Sequence, residues 1–586
     1  MKLDQAILLD DTADSLPYQR IAKLLSFFGV SWRRLTLSQF IADAAAKLVV
    51  PEKCRIFSSA GTFLRLLEAC NHRPESMPHS HQNIHSAFVF ADGDPQVLEK
   101  LVQLLAGDER AELRHIHSGG EEFVVANDTE FCGIMASLRV PVSSPNDDVC
   151  LVSNIGDTGA LSLISSASGS IFLKLQCGDV PVFVSTSAEI IDIDRKLTTQ
   201  NFDVRAQFLS AVPVVLYIKW AFAETCWNAP QANACLVIDD PVLKSTHGFV
   251  DFQQLLSLMK RHNFSTNVAF IPWNWRRSAP EVVQLFRENP AHYSLSVHGC
   301  DHTRGEFGSS DRQRLYWKTQ QAIERMTQHQ SITGISHDRV MVFPQGIFSE
   351  AAMDVLRRTG LIASVNNDVI SADPHPRAIT VSDVWDIAVM RYSFPLFTRR
   401  YPWEGIENFA FDALLGKPAI AVIHHDYCSD HCARLVNFIQ RLNALHRAPT
   451  WRNLGEVVRR SCRQREVSLG AVEVQMYGTE LRIENRSEQP KHFLIKRRDH
   501  EASAIQRICA GPQEISWKPV NGHIELEIEL NPGENQVIQI RFYDAAEKRR
   551  SGDNLPYRLK AMLRRYLCEV RDNYIVPMRF RFTAYR

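Results

Sequence analysis

No apolar run in the chain approaches the roughly 20 residues that a bilayer-spanning helix needs, so no membrane span is expected. Neither sign of charge is in excess. Lys plus Arg and Asp plus Glu both number 66 in 586 residues, so no global field recruits nucleic acid, and electrostatic recognition has to be local. The opening Met1-Lys2-Leu3-Asp4-Gln5-Ala6 lacks the basic start, apolar middle and small-residue cleavage site of a secretory leader, and a cytoplasmic protein is expected. The 13 cysteines are odd in number and scattered, which argues against a secreted disulfide framework and for reduced thiols. Residues 1–228 carry neither GxGxxG nor GxxxxGK[ST], so nothing there supports nucleotide binding.

What is present is too long for one hydrophobic core, and two to four domains are expected. In residues 1–228, strand-like runs at 6–9, 87–90 and 149–152 alternate with helical patterns at 19–28, 58–69 and 95–106, which reads as an α/β layered domain. Asp10-Asp11 follows a strand but has no paired histidines at a useful distance, so a helix-capping turn is expected. The stretch 72–85 holds four histidines among Asn, Pro, Ser and Gln, the composition of a solvated loop. An apolar helical pattern at 201–227 leads into the next domain.

That central domain, 232–465, carries the chemistry. Ala234-Cys235-Leu236-Val237-Ile238 reads as a buried parallel strand ended by Asp239-Asp240-Pro241. A second short strand, 293–297, runs into His298-Gly299-Cys300-Asp301-His302-Thr303. Between them lie helical patterns at 252–262 and 280–289 and a strand at 266–272, so the order is β-α-β-α-β. In parallel α/β sheets and barrels, functional groups collect at strand C-termini, which sends Asp239, Asp240, His298 and His302 to one rim. Two neutral imidazoles and a carboxylate form a facial set for a divalent ion, and a second carboxylate beside it can take a proton from water. On the same rim, Trp273, Trp275, Arg276 and Arg277 are placed either to stack on sugars and hold an anion or simply to pack.

These motifs resemble those of the NodB-homology polysaccharide deacetylases, carbohydrate esterase family four, over roughly 232–450. The resemblance implies a deformed (β/α) barrel with Asp239 as general base and Asp240, His298 and His302 as metal ligands. Val342-Phe343-Pro344-Gln345-Gly346 is similar to the family's Arg-x-Pro-Tyr-Gly motif, retaining Pro and Gly, and implies an oxyanion role for the backbone near Gln345. Val342 stands where an Arg orients the base, and Gly299 replaces a Ser or Thr. Ala419 to Asp426 looks like the late Leu-x-His strand, which makes His425, rather than His424, the general acid. The segment around Trp385 is the nearest counterpart of the late Asp/Trp motif. The implied cofactor is one divalent ion, with zinc the expectation, although the ligand types suit Co²⁺, Ni²⁺ or Fe²⁺ equally. The implied function is removal of an N-acyl group from a carbohydrate or related amide. The altered third motif keeps two alternatives open: a barrel that binds carbohydrate or a partner without turnover, and a hydrolase for another C–N or ester bond.

Beyond the barrel motifs, 424–432 has His, Asp and Cys enough to suggest a local zinc, yet no second pair at finger spacing. Helical patterns at 432–445 and 454–464 close the domain. Alternating strands at 472–476, 480–484, 492–495, 524–528 and 536–540 then predict a small β-sandwich over 466–545. The last segment, 546–586, has 11 Lys or Arg against 4 Asp or Glu, a net of 11 − 4 = +7, with a helical stretch at 557–570. Its aromatics favour docking onto another domain or, in a homo-oligomer, another subunit.

Overall fold

The computed structural model describes residues 5–11, 15–45, 54–69, 84–116, 122–141, 149–153, 160–167, 169–499, 501–543 and 555–578. The histidine-rich positions 72–83, the start of the basic segment (546–554) and its end (579–586) lie outside the described residues.

The N-terminal region is built on an 11-stranded sheet. Its first half is parallel, Trp32–Leu35, Gln5–Leu9, Cys54–Ser59, Ile84–Phe90 and Val180–Ser185 lying side by side, and the remainder is antiparallel. Helices Leu16–Phe27, Ala60–Ala69 and Pro95–Ala106 fall where the periodicity placed them. Asp94 caps the last of these by accepting from the Gln96 N–H, and Gly107 ends it in the left-handed region at φ 63°. Asp11 accepts from Leu37 N–H at 2.7 Å, at the start of helix Leu37–Ala45, while Asp10 is paired with Arg34.

The central region is a closed parallel barrel. Seven of the sheet's eight strands form its wall, in chain order Asn233–Asp239, Thr266–Phe270, Tyr293–His298, Asp338–Val342, Ala363–Asn366, Leu396–Thr398 and Ala419–Ile423, with short Thr450–Trp451 added beside the first. Each of the first five pairs in parallel with the next, and the seventh pairs with the first. Closure comes at Arg400, two residues past the sixth strand. Its N–H donates to the Ile420 carbonyl and its own carbonyl accepts from Val422, bridging to the seventh strand. Cys235, Val237, Val342, Val365, Phe397 and Ile420 come from five different strands yet form one apolar cluster, which identifies the barrel interior. By the period of two, Asp239 follows Cys235 and Val237 onto that inner face.

The chain leaves the barrel through helix Leu454–Arg460 into a sandwich of one five-stranded and one four-stranded sheet around Val474, Phe493, Ile508 and Ile538. The helical pattern expected to reach residue 464 stops at Arg460. Cys462–Ser468 is instead a strand, antiparallel to Ala471–Met476, because its alternation Cys-Arg-Gln-Arg-Glu-Val-Ser fits the sheet edge. After the sandwich, helix Leu555–Val570 and a single π-turn, Arg571–Ile575, lie across the barrel rim.

Candidate metal centre and active site

Asp239 and Asp240 sit where the first strand ends, and the break in conformation between them separates their roles. Asp239 completes the strand, whereas Asp240 turns into the left-handed region at φ 73°. His302 (φ 54°) and Gln345 (φ 61°) share that strained conformation, which concentrates at functional sites. The turn brings Asp240 to both histidines: Asp240 Oδ1 is 3.0 Å from His298 Nε2 and 3.0 Å from His302 Nε2. Despite those distances, Asp240 Oδ1 is buried with no hydrogen-bond partner, so the three atoms gather without bonding along an N–H···O axis. Metal–ligand bonds of about 2.0–2.1 Å in tetrahedral geometry set neighbouring ligand atoms about 3.3–3.4 Å apart, slightly wider than the 3.0 Å seen here. Two imidazoles and a carboxylate at this spacing fit a borderline divalent ion.

Several neighbours hold these ligands in place. His298 Nδ1 lies 3.0 Å from the Val342 carbonyl, which can only accept; Nδ1 therefore carries the proton, and the Nε2 lone pair is left toward Asp240. The loop between the histidines is wound around one side chain. Glu306 Oε2 accepts from the N–H groups of Cys300 (3.0 Å) and His302 (3.1 Å), and Oε1 accepts from Asp301 (2.9 Å). Gly299 fits here because a Cβ at its φ of 62° would meet Pro344 Cγ at 2.3 Å and Glu306 Oε2 at 2.7 Å, leaving no room for Ser or Thr. Cys300, Asp301 and Glu306 also bring ligand-type atoms together, but Asp301 is already paired with Lys318 and Arg325. That group reads as the scaffold of the loop.

Asp239 is answered by a residue the sequence reading missed. Arg399, one position past the sixth strand, donates Nη1 to Oδ1 and Nη2 to Oδ2, both at 2.7 Å, with both side chains buried. Burial alone would raise the Asp239 carboxyl. The Arg399 guanidinium is the largest influence against it and holds the group below its usual value, with His298 and His424 acting in the same direction. Val342 thus leaves no gap in the charge balance, because a guanidinium reaches the same carboxylate from another strand. Nothing in the motif around Arg399 announces this. The signal available was a pair of arginines, Arg399-Arg400, directly after an apolar strand.

The remaining expected residues are placed as follows. Gln345 is exposed, and its side-chain oxygen accepts from Gly305 N–H at 3.3 Å, tying its turn to the histidine loop. His425 opens a 3-10 turn, His425–Cys428, so the strand alternation that would send only one of the two histidines inward has already ended. Its ring lies 5.6 Å from His247 and 6.2 Å from Phe249, with Nε2 3.5 Å from Asp572 Oδ1. His424 lies beside Tyr401, at 6.4 Å. Tyr401 in turn stacks on Trp403 at 4.1 Å, and Trp403 is 60% exposed, an aromatic platform on the rim. Trp385 is elsewhere: it is fully buried in the core among Phe27, Phe202 and Phe411. Trp273 and Arg277 pack against Tyr566 of the C-terminal helix. At 424–432, no set of three ligand atoms gathers among the described residues, and the Cys428 thiol is pushed up by its contact with Cys432 and by burial.

Fold and rim together define a parallel barrel with a gathered Asp-His-His cluster and a buried Asp–Arg pair at the strand C-termini. No protein-family model matches the sequence, and no curated protein matches it. Among solved structures, the chain is similar to the carbohydrate deacetylase Agd3, at 9% identity over 92% of this chain and 98% of that one, with a TM-score of 0.48. It is also similar to a family 4 carbohydrate esterase from Streptomyces lividans solved with acetate (12% identity, 36% and 86% covered, TM-score 0.22). A third is the Xyl-CE4 domain of a multidomain xylanase from the hindgut metagenome of Trinervitermes trinervoides (10% identity, 39% and 89% covered, TM-score 0.23). These neighbours are carbohydrate deacetylases and esterases at low identity, and the chemistry of this chain has to be argued from its own residues.

Proposed function

We propose that the protein is a metal-dependent hydrolase that removes an N-acyl group from a carbohydrate or a related amide. The observation that carries this reading is the meeting of both 3.0 Å contacts at one unbonded, buried oxygen of Asp240, next to a second carboxylate fixed by Arg399. Asp240, His298 and His302 would hold the ion, with zinc the expectation. When bound, the ion supplies Lewis-acid polarisation and makes water more acidic. Asp239 then accepts the proton of the attacking water, and Arg399 keeps that carboxylate ionised and aimed. The backbone at Gln345 stabilises developing negative charge on the acyl oxygen. His425 returns a proton to the departing amine once Asp572 withdraws from it, with His424 the alternative donor on the Asp239 side. The Tyr401–Trp403 platform offers a face for a sugar ring.

A non-catalytic binding role is the second reading, favoured by the seating of Asp572 on His425. Asp239→Asn separates the two. The amide is nearly isosteric and Asp240 remains the ligand, so metal content of the folded holoprotein should stay close to wild type, although stability falls because buried Arg399 loses its countercharge. Acyl release from N-acetylated sugars should fall by a factor on the order of 10². Equal release by variant and wild type ends the base role, and absence of release by wild type on every N-acyl substrate supports the binding role.

A further inference from the structure

The C-terminal helix Leu555–Val570 has two faces that do different things. Its inner face lies over the candidate site. Tyr557 donates to Asp301 Oδ2 at 3.0 Å, Arg565 Nη2 lies 3.4 Å from His302 Nδ1, and Glu569 is paired with both Lys244 and Arg277. The following π-turn adds Asn573, whose side chain accepts from Gly248 N–H at 2.7 Å, and Asp572 against His425. Among the described residues the outer face is apolar and largely exposed, with Tyr566 also reaching Trp273 and Arg277. Leu559, Met562, Leu563, Tyr566, Leu567 and Val570 are each between 41% and 59% exposed.

At about 100° per residue these six side chains fill an arc of about 140°. Exposed Arg558 lies beyond one edge of the arc; exposed Lys560 and half-buried Arg564 lie beyond the other. Tyr574, Ile575 and Met578 extend the apolar surface past the π-turn. A continuous apolar stripe of this size is unusual on a monomer. The flanking cations decide what covers it. Packed against a second copy of itself, the stripe would bring like charges together along its borders. An anionic bilayer surface, by contrast, takes up the apolar face and pairs the flanking cations with lipid headgroups.

We infer that this helix docks the protein onto an anionic lipid surface, and that docking draws the helix off the barrel rim and opens the site toward that surface. The segment is then an interfacial lid: the same helix closes the site in solution and engages the bilayer.

The test is vesicle co-sedimentation of the full chain, comparing phosphatidylcholine alone with phosphatidylcholine mixed with phosphatidylserine. Binding should require the anionic lipid and weaken with salt. Arg558→Gln/Lys560→Gln should weaken it roughly fivefold per charge removed, and Leu563→Glu/Leu567→Glu should abolish it. Hydrogen exchange then reads the lid directly: amides around Gly248 should exchange faster on anionic vesicles than in buffer. No anionic preference, or binding unchanged by both variants, overturns the docking. Unchanged exchange at Gly248 with docking intact overturns the opening. A lipid-free, concentration-dependent dimer that Leu563→Glu/Leu567→Glu dissolves assigns the face to a second copy instead. None of these readouts depends on hydrolysis.

Discussion

A carboxylate buried at the end of a barrel strand is stable only if something cancels its charge, and here that partner is a single guanidinium. Removing one member of a buried pair is strongly destabilising, about 3–5 kcal/mol, because the other is left charged and unpaired. Arg399→Met should therefore lower folding stability by about that amount in urea unfolding. Asp239→Asn/Arg399→Met should recover much of the loss, and a purely additive cycle would show that the pair does not couple. The sign of the pH effect follows from the depressed carboxyl. In wild type, the Asp239 contribution is present above the unfolded carboxyl value and lost as pH falls through the folded one. Without Arg399 the carboxyl loses its largest lowering influence while burial still raises it, so the acid-side loss of stability that Asp239 contributes should shrink.

Histidine buried away from the rim gives a second pH-linked prediction. His329 is held down to about 4, by burial first and the His337 charge next, with its ring against Phe270 and Nε2 2.9 Å from Ser278 Oγ. Between pH 6.5 and 4 the unfolded chain takes a proton here that the folded chain refuses, so stability falls with pH by at most about 1.4 kcal/mol per unit. His329→Gln should flatten that part of the profile. Buried Glu306 and Asp338 are raised and act in the opposite direction, so the wild-type-minus-variant difference is the quantity to measure.

At the scale of elements, the site depends on turns more than on strands. Gly299→Ala would drive a Cβ into Pro344 at 2.3 Å in a conformation that disfavours any side chain, so the loop between the histidines must move. Metal affinity should drop by at least tenfold in competitive chelator titration while the far-ultraviolet circular dichroism stays unchanged; wild-type affinity would show that the loop does not position His302. These same turns explain how much of the site was legible. The candidate ligands were readable because Asp240 and His298 sit at the ends of short apolar strands and His302 follows four residues on, where strand polarity fixes which rim a residue joins. Arg399 was not, since its partner is 160 positions away in the chain and only barrel closure brings them together. The helical pattern at 454–464 failed at its second half because Cys462 to Ser468 satisfies both periods over so few residues. The choice between His424 and His425 rested on strand alternation, which does not extend into a 3-10 turn.

At the scale of the whole molecule, the apolar core takes no notice of the boundary drawn at 228–232. One cluster runs from Phe28 and Phe208 of the N-terminal region through Trp385 to Phe411 and Leu435 of the barrel region. Trp385 is the hinge of this continuity, with Phe27 at 6.2 Å and Phe202 at 5.4 Å on one side and Phe411 at 5.2 Å on the other. Polar ties repeat the pattern. Val204 N–H donates to Asn408 Oδ1 at 2.9 Å, and Arg400 donates to the Phe202 carbonyl at 2.8 Å. A barrel expressed as 232–465 would thus expose a wall of large aromatic side chains and leave Arg400 short of a buried partner. The C-terminal helix is different, for none of its described residues belongs to that cluster. A chain ending at residue 543 should keep its melting temperature within a few degrees of the full chain, because it loses mainly rim contacts of the kind worth about 0–1 kcal/mol each. The 232–465 fragment should instead be recovered as aggregate, or as a species that binds a hydrophobic dye and melts without a cooperative transition. A sharp, dye-silent melt for that fragment would show that the barrel folds as an independent domain and that the shared aromatic wall is an interface rather than a common core.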